Sequence, residues 1–198
     1  MKKLGILGGA FDPIHLGHLH LAQTCYQELG LDKVLFIPSA VSPFKEGRTI
    51  PFNHRLTMAA IATAPMPYFE VSAVEALREG KSYTYDTLQA LKEIYQGWEL
   101  YFLSGADALT SLSRWYNWQG ILENCFFVVV NRPGFELAIN YEIKTYPKWQ
   151  EKIILLKAEK EIDIASRFLR EYYVSESQKE YLPPKVWEYI NEQGLYRR

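Results

Sequence analysis

Cysteine is scarce in this 198-residue sequence: only Cys25 and Cys125 occur, far apart and in no CxxC pair. Two isolated thiols build no disulfide framework, so a reducing compartment and a fold held by its own core are expected. An excess of charge is missing too, since 22 Lys and Arg stand against 23 Asp and Glu for a net charge of −1. That balance removes the basic footprint that nucleic acid or an acidic membrane would need, while leaving room for a local anion site. No stretch approaches the roughly 18 apolar residues of a membrane span. The opening Met1-Lys2-Lys3 and its apolar sequel superficially resemble a leader peptide. Gly5, Gly8 and Gly9 interrupt the apolar run, and it stops at Asp12 with no small-residue cleavage site behind it. A buried strand and its loop are therefore expected there. Repeats and low-complexity tracts are also lacking. The expectation is a soluble, cytoplasmic chain, without nucleic acid or membrane as partner. Its 48% hydrophobic and 23% charged residues are ordinary for a globular domain. A chain this long buries roughly 70% of its unfolded surface without a metal or disulfide staple.

What is present is alternation. Leu4 to Leu7 is a short apolar run closed by Gly8-Gly9, the pattern of a central parallel strand. An amphipathic stretch follows, with Leu16, Leu19, Ala22, Tyr26 and Leu29 on one face and Gly30 placed as its cap. Lys33 to Ile37 makes a second strand, and strand, helix, strand over this length is a βαβ unit. Asn53 is placed to cap a helix through Leu56, Ala59, Ala60 and Thr63, ended by Pro65. Tyr68 to Val71 reads as a strand, and Tyr83 to Tyr95 as a helix with Leu88, Leu91 and Ile94 inward. Trp98 to Leu103 and Cys125 to Val130 read as strands around a helical segment from Asp107 to Leu122. Ile153 to Leu156 reads as a sixth strand. Two tail helices are expected, near Ile164 to Tyr173 and Pro184 to Gln193, with Gly194 as a stop. The fold class is therefore α/β, a Rossmann-like, doubly wound parallel sheet of five to six strands with a small helical C-terminal part. Ligands of such sheets bind beyond the carboxyl ends of the strands, which points to the segment after Leu7.

That segment reads Gly8-Gly9-Ala10-Phe11-Asp12-Pro13-Ile14-His15-Leu16-Gly17-His18. It is neither GxGxxG nor a P-loop. A glycine turn leaves the strand, and two imidazoles three residues apart follow at a helix start, on one face. Unpaired N–H groups and the positive end of the helix dipole favour an anion there. A nearby phosphate would raise the pKa values of the two histidines and let each ring donate from both nitrogens. A metal would need a third ligand, and none accompanies the pair. His20 and His54 receive a structural reading.

GGAFDPIHLGH is similar to the GGxFDPxHxGH signature of the nucleotidylyltransferase superfamily, and the likeness narrows further along the chain. Ser82-Tyr83-Thr84-Tyr85-Asp86-Thr87 resembles the SYTxDT element of bacterial nicotinate-nucleotide adenylyltransferases. Gly105-Ala106-Asp107 with Arg114-Trp115-Tyr116, and Asn131-Arg132-Pro133-Gly134, resemble further elements of that family. So does the ending Tyr181-Leu182-Pro183-Pro184-Lys185-Val186 through Gly194-Leu195-Tyr196. The resemblance implies one nucleotidylyltransferase domain over 1–198, with 1–160 as core and 161–198 completing the ATP site. It implies transfer of AMP from ATP to nicotinate mononucleotide, giving deamido-NAD and pyrophosphate in NAD biosynthesis. Mg²⁺ would travel with the ATP phosphates. His15, His18, Lys45 and Arg170 would be catalytic. Gly8, Gly9, His15, His18, Gly105, Asp107, Ser166 and Arg170 would hold ATP. Ala10, Phe11, Lys45, Thr84, Trp115, Tyr116 and Arg132 would hold the nicotinate nucleotide, with Trp115 stacked on the pyridine. From the residues alone, Trp115 also suits core filling and Thr84 suits a helix cap.

Two elements depart from the family pattern. Phe44 stands where PPHK has a histidine, and Ile164-Ala165-Ser166-Arg167 replaces an ISST run. Each lost charged hydrogen bond is worth about 1.5–3 kcal/mol, which Arg167 could offset. Two alternatives stay open: adenylyl transfer to another acceptor (nicotinamide mononucleotide or pantetheine phosphate), and a non-catalytic nucleotide-binding sensor. Nothing in the sequence distinguishes a monomer from a homo-oligomer.

Overall fold

The computed structural model describes residues 1–41, 50–131, 147–157 and 176–197. Within them, six parallel strands line up in the order β3-β2-β1-β4-β5-β6. These are β1 (Lys3–Gly9), β2 (Lys33–Pro38), β3 (Phe69–Val71), β4 (Glu99–Gly105), β5 (Phe126–Asn131) and β6 (Ile153–Lys157). The helices are α1 (Leu16–Leu29), α2 (Phe52–Thr63), α3 (Thr84–Ile94), α4 (Ala106–Ser111), α5 (Trp118–Asn124), α6 (Pro147–Gln150) and α7 (Pro184–Glu192). The central strands are apolar because both faces are covered. On one side, Ala22 and Cys25 of α1, Met58 and Ala59 of α2 and Val186 and Ile190 of α7 join one buried cluster. On the other, Leu88 and Leu91 of α3, Leu109 of α4 and Ile121 of α5 join a second. Both cysteines are buried and reduced. Among the described residues no helix is long and apolar enough to cross a membrane.

Chain order reverses between β1 and β4, which pair in parallel with Ile6 opposite Phe102. The crevice beyond their carboxyl ends is where an open sheet of this order receives ligands. Gly30 caps α1 at φ 58°, in the left-handed conformation that glycine adopts without a Cβ penalty.

Several expectations need correction. Ile94 is 63% exposed, unlike the fully buried Leu88 and Leu91. A three-residue step covers about 300° of helix, so the third residue of such a series has drifted about 120° from the first. Helix α2 starts at Phe52 with Pro51 before it, so Asn53 lies inside the first turn and caps nothing. Its buried stripe is Arg55, Met58, Ala59, Ala62 and Thr63, and Ala60 is exposed. A pattern that counts arginine as outward-facing misplaces that stripe. The segment 107–122 is not one helix. It breaks at a 3₁₀ turn over Leu112–Arg114 and restarts after Asn117, which sits at φ 48° and accepts a hydrogen bond from the Gly120 amide at 3.3 Å. Asparagine is among the few side chains that tolerate this conformation. The expected helix near Ile164 to Tyr173 lies outside the described residues.

Candidate active site

Strand β1 delivers Gly8 and Gly9 to the crevice, and the loop from Ala10 carries the chain to the start of α1. Phe11 turns inward, 1% exposed, against Phe36 and the edge of the His18 ring. From Phe11, therefore, only main chain is available to a ligand. An added Cβ on Gly9 would lie 3.2 Å from that phenyl ring, so glycine here lets the loop close tightly.

His15 is the N-cap of α1 and His18 lies one turn on, their rings stacked at 3.7 Å between centroids. The backbone N–H of His15 donates to Nδ1 of His18 at 3.2 Å. A nitrogen that accepts cannot carry the proton, so in the neutral ring the proton sits on Nε2. While this bond stands, the neutral His18 ring donates only from Nε2. His15 is 4% exposed and His18 half-buried, so His15 supports the ring that meets solvent. Among the described residues no cluster of three or more His, Cys, Asp or Glu gathers as a metal site. His54 bonds Tyr189 through Nδ1 at 2.8 Å, in keeping with its structural reading.

Across the crevice, Gly105 caps α4, and Asp107 in its first turn is exposed. Trp115 is half-buried. Its ring packs edge-on against Phe102 and Phe127, 5.9 Å from each, and Nε1 donates to Ser111 Oγ at 3.2 Å. Core contact and a partly open face thus coexist in one side chain. Tyr116 is 56% exposed and leans on Tyr83 and Tyr85. Gly120 makes room for Tyr85, since a Cβ there would come within 2.6 Å of that ring. Thr84 is the first residue of α3, with Tyr83 as N-cap, so it does not cap the helix. Lys45, Arg132, Ser166 and Arg170 lie outside the described residues, as do Phe44, Ala165 and Arg167.

Sequence reasoning missed the buried polar groups behind this surface. Arg55, 4% exposed, donates from Nη1 to the carbonyls of Ala10 and Ser39, each at 2.8 Å, and from Nε to that of Ile50 at 2.9 Å. Burial lowers its pKa, opposed chiefly by the Asp12 carboxylate. A guanidinium nonetheless stays charged, so its carbonyl partners are what make burial tolerable. On the far side of the β2 exit, Glu75 accepts from Thr87 Oγ1 at 2.7 Å, and Arg78 donates to the same hydroxyl at 2.8 Å. Burial raises the Glu75 pKa, opposed by hydrogen bonds from Thr87 and Ser82 and by Arg78. Ser82 exchanges bonds with Val41, its amide donating to the carbonyl at 2.8 Å and its Oγ accepting from the amide at 3.2 Å. The main chain leaving β2 is thus pinned from both sides. A Glu followed three residues later by Arg, just ahead of the SYTYDT element, was the available signal for the second pin. Arg55 had none.

The cytidylyltransferase-like family model matches residues 6–172. The nicotinate-nucleotide adenylyltransferase of Bacillus subtilis (strain 168) is 37% identical over 198 residues, 99% of each chain. A Roseiflexus sp. (strain RS-1) protein that carries a provisional form of the same name is 44% identical over 197 residues, 98% of each chain. Among solved structures, the nicotinic acid mononucleotide adenylyltransferase of Plasmodium falciparum complexed with NaAD superposes with a TM-score of 0.81 at 22% identity. The alignment covers 99% of this chain and 98% of that one, a likeness of fold.

Proposed function

The chain belongs to the cytidylyltransferase-like family and, within it, to the nicotinate-nucleotide adenylyltransferases, and on that premise we propose that it transfers AMP from ATP to nicotinate mononucleotide in NAD biosynthesis. The observation that carries this reading is the stacked His15–His18 pair at the start of α1, beside the point where strand order reverses. The attacking group is the 5′-phosphate of the mononucleotide, whose second pKa lies near 6. It is largely dianionic at neutral pH and needs no general base. A bond forms between its oxygen and the α-phosphorus of ATP while the bond from that phosphorus to pyrophosphate breaks. Charge builds on the phosphate oxygens, where Nε2–H of His18 and the amides that open α1 are suited to donate. His15 holds the His18 ring in the donating tautomer.

Gly8, Gly9, Gly105 and Asp107 are the residues we assign to ATP, and Ala10 and Phe11, through main chain, with Thr84, Trp115 and Tyr116 to the nicotinate nucleotide. Lys45, Ser166, Arg170 and Arg132 keep the phosphate-binding and acceptor roles the family pattern gives them, with 1–160 as core and 161–198 completing the ATP site. Mg²⁺ enters as part of the ATP substrate. The donors on the described crevice side of α1 are imidazole and amide nitrogens, a set that suits phosphate oxygen and leaves the cation to the triphosphate and water. Two buried, unoxidised thiols suit a cytoplasmic enzyme.

Pyrophosphate release is the decisive measurement, with ATP and, in turn, nicotinate mononucleotide, nicotinamide mononucleotide and pantetheine phosphate. Turnover with the nicotinate compound well above the other two is expected. Preference for another acceptor would reassign the pocket, and nucleotide binding without turnover would make the chain a sensor.

A further inference from the structure

Asp12 is wholly buried, and its Oδ1 accepts a hydrogen bond of 2.6 Å from the hydroxyl of Tyr196, 184 residues later. That is a short, well-formed O–H···O bond. The loop holding Asp12 leads from Gly9 into the N-cap His15, and its Ala10 carbonyl is held by Arg55. The two residues at this contact with unusual backbone are Phe11, at φ 46°, next to Asp12, and Tyr196 itself, at φ 58°. Left-handed backbone at a bulky aromatic residue is disfavoured and persists where surrounding contacts over-determine it. Tyr196 follows Gly194, where α7 ends in a left-handed turn, and its ring and Leu195 pack on the cluster that holds α1 and α2. The end of the chain is therefore docked under the loop that aims the two imidazoles.

We propose that Tyr196, acting through the buried Asp12 and Arg55, is a positioning residue for adenylyl transfer: the C-terminal turn sets the β1–α1 loop, and with it His15 and His18, without touching substrate. This inference rests on the reading of the reaction given above. A displaced loop moves both rings together relative to the α-phosphorus, which lowers the rate of the bound complex more than it weakens binding.

The molecule contains a matched control. Tyr189 also ties the tail to the body through its hydroxyl, but to His54 on α2 rather than to the loop. In the full-length chain, Tyr196→Phe is expected to lower kcat about tenfold, with KM for both substrates changed less than about twofold. Backbone amides of residues 9–12 should exchange hydrogen faster in that variant. Tyr189→Phe should keep kcat within about twofold and leave exchange at 9–12 unchanged. Wild-type kcat in Tyr196→Phe overturns the proposal, and so do equal losses in the two variants, which would mark tail docking as general stabilisation. Should the wild-type chain release no pyrophosphate with any acceptor, the reading of the reaction fails separately. Exchange at 9–12 then decides whether the tail governs the loop: faster in Tyr196→Phe alone sustains that link, and equal rates in both variants overturn it.

Discussion

The two flanks of the crevice are built by different physics. On the α1 side, rings and main chain are set by buried polar contacts: His15 on His18, Arg55 on two loop carbonyls, Tyr196 on Asp12. On the α3–α5 side, Trp115, Tyr116, Tyr83 and Tyr85 are set by aromatic edges and remain partly exposed. Charge that develops during phosphoryl transfer rewards donors fixed before the reaction, because reorganisation then costs nothing at the transition state. A flat pyridine ring rewards area and tolerates small shifts in angle. On the proposed assignment, the fixed polar flank faces the reacting phosphates and the aromatic flank faces the pyridine.

The sharpest break of this contrast is His18→Ala. It should lower kcat by on the order of 10²–10³, as loss of one preorganised donor does, with little change in thermal stability. Arg55→Met should act on stability as well as on the loop it holds, at about 3 kcal/mol by denaturant unfolding, because it strands buried carbonyls at the β1 and β2 exits. Trp115→Ala belongs to the other flank. Loss of stacking worth about 1.5 kcal/mol should raise KM for nicotinate mononucleotide roughly tenfold and leave KM for ATP nearly unchanged in initial-rate measurements. If Trp115→Ala instead lowers kcat with KM unaltered, the division between flanks fails.

The smallest effect concerns pH. Burial raises the Glu75 pKa in the folded chain, so the folded state holds a proton more readily than the unfolded one. The cost of its buried charge is present in full above the folded pKa and is relieved as pH falls from there toward the ordinary carboxylate value. The stability of wild type relative to Glu75→Gln should therefore shift in favour of wild type on acidification. Urea midpoints of the two chains at neutral and mildly acidic pH would show a constant difference if the pKa is unshifted, and one that moves in favour of Glu75→Gln on acidification if that sign is wrong.

Much of the fold was legible because a doubly wound sheet is written in short apolar runs and glycine stops. Leu4 to Leu7 and Lys33 to Ile37 lie within observed strands, and Gly30 caps the helix it was expected to cap. The breaks at Leu112–Arg114 and Asn117 were not legible, because the apolar spacing runs on through them while the hydrogen bonding does not. The candidate site divides in the same way. His15 and His18 announce themselves as two rare side chains at one helix start. The roles of Arg55, Asp12 and Tyr196 depend on partners 45 and 184 residues away, and no local pattern encodes such pairings. Arg55 draws no notice in the sequence, since only the assembled fold supplies the carbonyls that receive it.

The two sealed thiols turn this contrast into something a stopwatch can follow. Cys25 sits on α1 in the cluster that also holds Phe11 and Ile14, and Cys125 lies in the opposite cluster, against which Trp115 packs. Burial pushes each to a pKa of about 12, so neither is a ready thiolate while its surroundings stay closed. A thiol-reactive dye would thus tag each cysteine only during a local opening. Sorting the tagged peptides by mass would time the breathing of the two halves separately, with no foreign label built into the chain.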